Sequence, residues 1–521
     1  MSPLAQVWLA HLPVLPIVVP LMAGAALLVP ALATPQRSRA VVWASLAVLA
    51  AVAVTALLRT ADGHPGVYLL GNWPAPFGIV LVIDKLTAIM LALVAVIGGA
   101  AFAASGGMKT PAHDWFAPLF LFQLAGLNGA FLTADLFNLF VFFEVLLAAS
   151  YGLLLQQADR ARVGAATHYV VINLVGSALF LIAVSLIYGV TGTLNMADLS
   201  QRLGAVSPHA RGLVAAAGAL LVVVFAIKAA LLPLNFWLTR TYSAAVFPVA
   251  ALFALMTKVG VVAIFRTLTQ LYPIEGDINR AISSVLMWVG PLTLFVGALG
   301  ALAARTLPVL IGWSVVSSAG LMVTALALGT PRALSGAMFY LIGSTVATAL
   351  LFLLAATIDA SRAKHVEAGS ASSSRWAIVG TLFAIGVVAI AGLPPLAGFI
   401  GKATVLAGAT SHAQGGMVIA VVLTGGLMSL IAYARMGSQL FWKRSAVIEN
   451  DPATQSVIVP ALVLASLLGL LSVFAAPVQR FSDQAAIELQ RPQLAAGNVL
   501  TKRPLAKDTP AIGAPRSGAT P

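Results

Sequence analysis

The sequence predicts an all-α polytopic membrane protein of about fourteen transmembrane helices, and three observations predict it. Of 521 residues, 60% are hydrophobic and only 9% charged, against roughly a quarter charged in soluble domains. Apolar runs of the length a helix needs to cross a bilayer recur from residue 12 to residue 476. These runs are unbroken rather than short alternations, which selects helices over a closed barrel.

Taken in order, three spans are expected at 12–33, 40–58 and 80–105. A tight group follows at 115–133, 135–155, 169–191, 212–236 and 243–270, and a second at 281–304, 306–328, 334–358, 374–410 and 416–442. A last helix is expected near 457–476. The chain thus divides into 1–110, with the first three helices, five-helix groups at 111–275 and 276–445, a final helix within 446–480, and a Pro/Ala-rich tail, 481–521, expected to be disordered.

Two spans carry proline inside an apolar run: VVVFAIKAALLPLNFWL with Pro233, and AIAGLPPLAGFIGKATVLAGA with Pro394 and Pro395. Proline removes a backbone hydrogen bond, so both helices are expected to break within the membrane, and paired breaks in corresponding places point to an ion path. Lys228 precedes one break and Lys402 follows the other. The two helices run in opposite directions, so both lysines fall on the outer side of their breaks, as in an inverted repeat.

The net charge of +13 is spread thinly through short loops, not gathered into a nucleic-acid-binding patch. It sets orientation instead. One set of alternate loops holds Arg37, Arg39, Lys109, Arg160, Arg162, Arg240, Arg305, Arg362, Lys364, Arg375, Arg435, Lys443 and Arg444; the other holds Arg59, Arg202, Arg211, Arg266, Arg280 and Arg332. The richer set is expected in the cytoplasm, which puts both termini on the non-cytoplasmic side. The start, MSPLAQVWLAHLPVLP, lacks the basic region of a cleavable signal, so the first helix is expected to be retained.

With no cysteine, thiolate metal sites, disulfides and iron–sulfur ligation are excluded for this chain. The seven histidines show no ligand spacing, and phosphate loops and nucleophile elbows are absent. No metal, cofactor or covalent catalysis is expected, and the chain reads as a transporter rather than an enzyme.

Four ionisable residues lie deep in expected spans: Glu144 in FNLFVFFEVLLAASYGLLLQQ, Lys228, Lys258 in AALFALMTKVGVVAIF, and Lys402. A charge at mid-membrane costs roughly 2.5–3.5 kcal/mol on the lenient insertion scale, so such residues mark pathways. Lysine suits a proton path because its protonation responds to burial and to a nearby carboxylate, whereas arginine stays charged. The competing reading is a static pair between Glu144 and a lysine. Asp84 and Lys85 read as interfacial, Asp135 as a helix N-cap, and His168 as a polar cap at the start of its helix with a proton relay as the alternative.

These same residues carry a family resemblance. NGAFLTADLFNLFVFFEVLLAASYGLLL, FAIKAALLPLNFWL, PVAALFALMTKVGVVAIFR and AGLPPLAGFIGKATVL closely resemble the D subunits of multisubunit Mrp/Pha monovalent cation/proton antiporters. Those are similar in turn to the antiporter-like membrane subunits of respiratory complex I. The resemblance runs from about residue 75 to 445. It implies fourteen helices, two inverted five-helix repeats with broken seventh and twelfth helices, and a line of buried polar residues. By motif, Glu144 is the fifth-helix carboxylate, and Lys228, Lys258 and Lys402 are the lysines of helices seven, eight and twelve.

Departures are also legible. YLIGSTVATALLFLL has Gly343 where the family pattern carries histidine, and Ser344, Thr345 and Thr348 are candidates to hold water there. Thr239 stands for a proline in FWLTRTY, which reads as a loop effect, and ARTLPVLIGWSVVSSAGLM departs from the usual pattern. The resemblance implies a bacterial inner-membrane antiporter subunit working with other hydrophobic subunits on protons and Na⁺ or K⁺. The alternative is a proton-pumping membrane subunit of complex I or of a membrane-bound hydrogenase.

Overall fold

The computed structural model describes residues 3–31, 33–106, 115–156, 159–272, 276–363, 374–442 and 452–502. It opens with α1 (Pro3–His11), α2 (Leu15–Ala26) and α3 (Pro35–Ala61). An antiparallel hairpin follows, β1 (Gly66–Leu69) and β2 (Val80–Ile83), with Gly66 opposite Ile83. The sequence alone puts 80–83 inside a helix; an apolar run as short as Val-Leu-Val-Ile does not separate strand from helix by periodicity.

The first group is α4 (Lys85–Ser105), α5 (Phe116–Leu132), α6 (Leu136–Leu154), α7 (Arg160–Thr191), a short α8 (Met196–Arg202), α9 (Pro208–Ala229), α10 (Leu238–Ala244), α11 (Phe247–Phe253) and α12 (Met256–Arg266). Then come α13 (Asp277–Ala303), α14 (Leu307–Ala327), α15 (Pro331–Ala363), α16 (Ser374–Ala391), α17 (Ala397–Ala409), α18 (Gly415–Gly437) and α19 (Pro452–Val473). The chain is mostly helical, and among the described residues 11 helical runs are long and apolar enough to cross a membrane, beside four shorter apolar helices. Side-chain oxygens of Asp84, Asp135, Asp159 and Asn195 cap α4, α6, α7 and α8 by accepting first-turn backbone N–H groups.

The most enclosed elements are α11, α12, α14 and α15; every residue of α12 is buried. Gly260 lets α12 lie directly on α9, since a Cβ there would be 2.5 Å from the Ala229 nitrogen. Small residues serve such close helix approach in membranes.

Three expectations need correction. His168 does not start its helix: the Ala-rich segment before it is helical, and α7 begins at Arg160 under an Asp159 cap, leaving His168 two turns inside. The segment from 481 is not disordered over its described part, because α20 (Ala475–Leu489) and α21 (Pro492–Leu500) are helices. α20 buries Ser482, Ala485, Ala486 and Leu489 at helical spacing. The remainder of that tail, 503–521, and the counted loop cations Lys109, Lys364, Lys443 and Arg444 lie outside the described residues. Thr239 is not in a loop either; it lies in α10, with its Cα 3.2 Å from where a Cβ on Gly312 of α14 would sit.

At the hairpin end the chain builds a separate layer. Leu69 and Val80 of the hairpin, Ala134, Ala197 of α8 and Ala496 and Val499 of α21 form their own small apolar cluster. Polar contacts fasten this layer to the bundle: Lys85 pairs with Glu488 of α20, and the Gln490 amide donates to the Gly329 carbonyl at 3.1 Å.

Candidate functional site

Both helices expected to break are interrupted, whereas Pro20, Pro291 and Pro460 lie inside continuous helices. α9 stops at Ala229, Ala230 adopts a left-handed conformation (φ 53°), and α10 resumes at Leu238, leaving Pro233 in the gap. The open backbone finds side-chain partners: Trp237 Nε1 donates to the Ile227 carbonyl at 3.0 Å, and the Leu232 N–H donates to Thr293 Oγ1 of α13 at 2.9 Å. In the second half, α16 stops at Ala391 and α17 starts at Ala397, with Pro394 and Pro395 between them.

Lys228 sits in the last turn of α9, 5% exposed. Its Nζ donates to Asn173 Oδ1 of α7 at 3.0 Å and lies 5.5 Å from the centre of the Phe143 ring. One turn along α7, on the same face, the Ser177 hydroxyl donates to Glu144 Oε1. Glu144 is half-buried, and its charge reaches Lys228 without a direct ion pair between them. α7 therefore holds the carboxylate and the ammonium on separate neutral side chains.

Lys258 is 1% exposed, and its Nζ donates to Ser318 Oγ of α14 at 2.8 Å. This contact joins the first five-helix group to the second. α14 also presents Ser314 and Ser317 to a cavity of about 10 Å³ beside Lys402, the room one water needs. The serines of SVVSSAG thus run from Lys258 toward Lys402.

Lys402 Nζ donates to the carbonyls of Ala391 at 2.7 Å and Ile390 at 3.2 Å. Those carbonyls end α16, where the helix supplies no further N–H partner. Gly392 has φ +77°, and a Cβ on it would be 2.5 Å from Lys402 Cδ, so glycine is what lets the lysine fold back over the break. The Tyr340 ring centre is 5.9 Å from Nζ.

The other expected residues fall elsewhere. Asp84 caps α4 and pairs with Arg266 at 3.0 Å, while Arg266 also donates to Thr87 Oγ1 at 2.7 Å. Asp84 and Lys85 thus belong to the hairpin-end layer, and Asp135 serves as the cap of α6. His168 is half-buried with its ring 5.5 Å from that of Phe236. Ser344, Thr345 and Thr348 donate to carbonyls of their own helix. The space left by the missing histidine is closed by α17: a Cβ on Gly343 would already be 3.2 Å from the Ala397 Cβ. Among the described residues no group of three His, Asp or Glu could hold a metal ion.

Asn173, Ser177 and Ser318 escape sequence reading because neutral hydroxyls and amides on long helices carry no signal of their own. Helical spacing on one face is the available clue for the first two.

The model of the family "NADH:quinone oxidoreductase/Mrp antiporter, TM" matches residues 133–431, more than half the chain, which includes Glu144, Lys228, Lys258 and Lys402. The chain belongs to this family. Among its relatives, the D subunit of a probable K(+)/H(+) antiporter of Rhizobium meliloti is 40% identical over 95% of this chain and 98% of its own length. The D subunit of an Na(+)/H(+) antiporter of Alkalihalophilus pseudofirmus is 34% identical over 94% and 99%. A chain of the Mrp complex from Dietzia superposes with a TM-score of 0.83 at 27% identity, covering 94% of this chain and 99% of that one. A chain of the archaeal membrane-bound sulfane sulfur reductase does so at 0.84 and 25%, with the same coverage. Chains named as antiporter subunits and chains of respiratory membrane complexes are thus both among those it resembles.

Proposed function

We propose that this chain is a subunit of a multisubunit secondary antiporter that exchanges Na⁺ or K⁺ for protons, and that Glu144, Lys228, Lys258 and Lys402 carry the proton path. One observation carries the reading: three lysine ammonium groups, those of Lys228 and Lys258 buried and that of Lys402 part-buried, each donate to a neutral acceptor, Asn173, Ser318 or the end of α16, and none is locked onto a carboxylate. Structural charges in an apolar interior are normally paired, because each ion taken from water costs several kcal/mol. A lysine held by a neutral acceptor gives up its proton without stranding a counter-ion. Glu144, within electrostatic reach of Lys228, is then the charge whose approach favours loading and whose retreat favours release.

In this reading the path runs from Glu144 past α7 to Lys228, to Lys258 on the helix packed against it, along the α14 serines and on to Lys402. Pro233, Pro394 and Pro395 keep the two helices open beside their lysines. Asp84, Asp135, His168, Ser344, Thr345 and Thr348 take no direct part. Fourteen membrane helices with inverted repeats at 111–275 and 276–445 fit the described elements. α5 packs on α6 as α13 does on α14, each repeat has one broken, lysine-bearing helix, and α12 and α18 both end in a π turn, at Thr267–Leu271 and Ser438–Trp442. The expected setting is a bacterial inner membrane with both termini on the non-cytoplasmic side and other hydrophobic subunits as partners.

The same line of lysines would serve a redox-driven pump, and a relative from Desulforudis audaxviator, named as the N subunit of an NADH-quinone oxidoreductase, is 33% identical. The antiporter names of the 40% and 34% identical relatives favour the first reading. The test is cation-dependent collapse of ΔpH in inverted vesicles carrying the assembled complex. Glu144→Gln and Lys228→Ala are each expected to lose at least tenfold in rate, and full activity in both overturns the path. Co-purification with iron–sulfur arms instead of small hydrophobic subunits overturns the antiporter assignment.

A further inference from the structure

Away from the lysine line, a cavity of about 510 Å³ lies between α1, the end of α3 and the hairpin. His11, Arg59, His64, Tyr68 and Lys502 line it together with the apolar Leu12 and Ile83, and among the described residues no aspartate or glutamate does. Arg59 is half-buried and, among the described residues, has no side-chain hydrogen bond or ion pair. Lys85, Arg202, Arg266 and Arg280, by contrast, each meet a carboxylate. His11 Nδ1 and the Tyr68 hydroxyl, both on the cavity lining, are 3.2 Å apart. A guanidinium with no carboxylate partner among the described residues, lining a cavity whose described wall holds no carboxylate, is a place for an anion, and a planar fork suits phosphate.

A second observation says which anion. The link between β1 and β2, which also lends Gly71 and Asn72 to the cavity wall, exposes Trp73 (67%) and Phe77 (89%). Exposed aromatic rings at the end of a membrane bundle belong at the lipid–water boundary. The exposed rings beside it therefore put the cavity near headgroup level, and its lining of cations and apolar side chains suits an amphiphile.

We propose that this cavity binds the phosphate headgroup of an anionic phospholipid, with Arg59 and Lys502 on the phosphate and the apolar lining against the glycerol and first acyl carbons. The site is independent of the transport path, since none of the path residues lines it. It gives the α1–hairpin corner a fixed lipid neighbour and ties α21, through Lys502, to the same headgroup.

The test is native mass spectrometry of the full-length protein in mild detergent, with phosphatidylglycerol, phosphatidylcholine or inorganic phosphate added separately. The wild type is expected to retain one phosphatidylglycerol with about tenfold preference over phosphatidylcholine, the scale of one charge-assisted contact. Arg59→Gln/Lys502→Gln is expected to lose that preference, and Arg211→Gln, an exposed cation elsewhere, to keep it. Lys502→Glu alone, at an exposed position, gives a second reading should the double variant misfold, and is expected to weaken retention. Equal retention of both lipids by the wild type, or undiminished preference in the double variant or in Lys502→Glu, overturns the proposal. Displacement of phosphatidylglycerol by millimolar inorganic phosphate reassigns the site to the free anion and overturns its lipid half.

Discussion

Replacing Asn173 with leucine isolates the neutral acceptor that holds Lys228. Asn173 is fully buried; its Oδ1 accepts from Lys228 Nζ at 3.0 Å and its Nδ2 donates to the Tyr169 carbonyl at 2.8 Å. Leucine keeps the volume and removes both contacts. The Tyr169 carbonyl retains its helical partner, so the loss falls on the ammonium. A buried donor deprived of its acceptor costs about 1–3 kcal/mol, with charged groups at the upper end. If Lys228 must hold a proton during each cycle, that cost becomes a rate loss of roughly 5–150-fold. Ser177→Ala strips one neutral donor from Glu144 and leaves the Lys228–Asn173 contact in place, so its loss is expected to be smaller. Asn173→Asp acts in the opposite sense: a carboxylate 3.0 Å from Nζ attracts it by roughly 5 kcal/mol at an effective dielectric of 20. The lysine is then locked and transport stops. Cation-dependent ΔpH collapse in vesicles, normalised to assembled complex, reads all three. Wild-type rates in Asn173→Leu, or a larger loss in Ser177→Ala than in Asn173→Leu, would refute the reasoning.

Three further substitutions test other parts of the structure. Gly392→Ala forces a side chain into φ +77°, worth about 1–2 kcal/mol, and sets a methyl against Lys402; both a lower melting temperature and slower transport are expected, and neither changing would contradict the geometry. Glu488→Gln leaves Lys85, 6% exposed at its side chain, as a stranded ammonium, whereas Lys85→Met leaves a 43% exposed carboxylate that water can serve. The first is expected to loosen α20 more, by about 1–2 kcal/mol once solvent screening is allowed for, as measured by hydrogen exchange; the reverse order would contradict it. Gly343→His is expected to lower the yield of folded protein, because α17 already occupies the space beside Gly343; wild-type yield and activity would show that α17 gives way.

The bundle and its four intramembrane charges are legible in the sequence because the bilayer imposes a strong signal: long apolar runs, with each ionisable residue in them conspicuous. The breaks at Pro233 and at Pro394–Pro395 are legible from proline together with the neighbouring lysine, since Pro20, Pro291 and Pro460 lie inside helices that stay continuous. Legibility fails where the signal is local and weak. Val80–Ile83 is too short to declare itself a strand. The helix that buries Ala485, Ala486 and Leu489 is amphipathic, so its composition reads as an unstructured tail unless the 3.6-residue spacing is weighed. Asn173 and Ser318 matter through what lies opposite them in space, which one sequence does not disclose. The direct Glu144–lysine pair that the sequence allows is absent because α7 lies between the partners in the hydrogen-bond pattern and satisfies each separately.

The contact between Lys85 and Glu488 joins residues 403 positions apart. At synthesis rates of 5–20 residues per second, Lys85 leaves the ribosome roughly 20–80 s before its partner. Throughout that interval its ammonium has to stay hydrated, so the layer of hairpin, α20 and α21 closes last, after the bundle beneath it is in place. An interrupted chain keeps an uncovered cation where a finished one has a sealed pair. The hairpin end is therefore the part of the fold that closes only once α20 has been made.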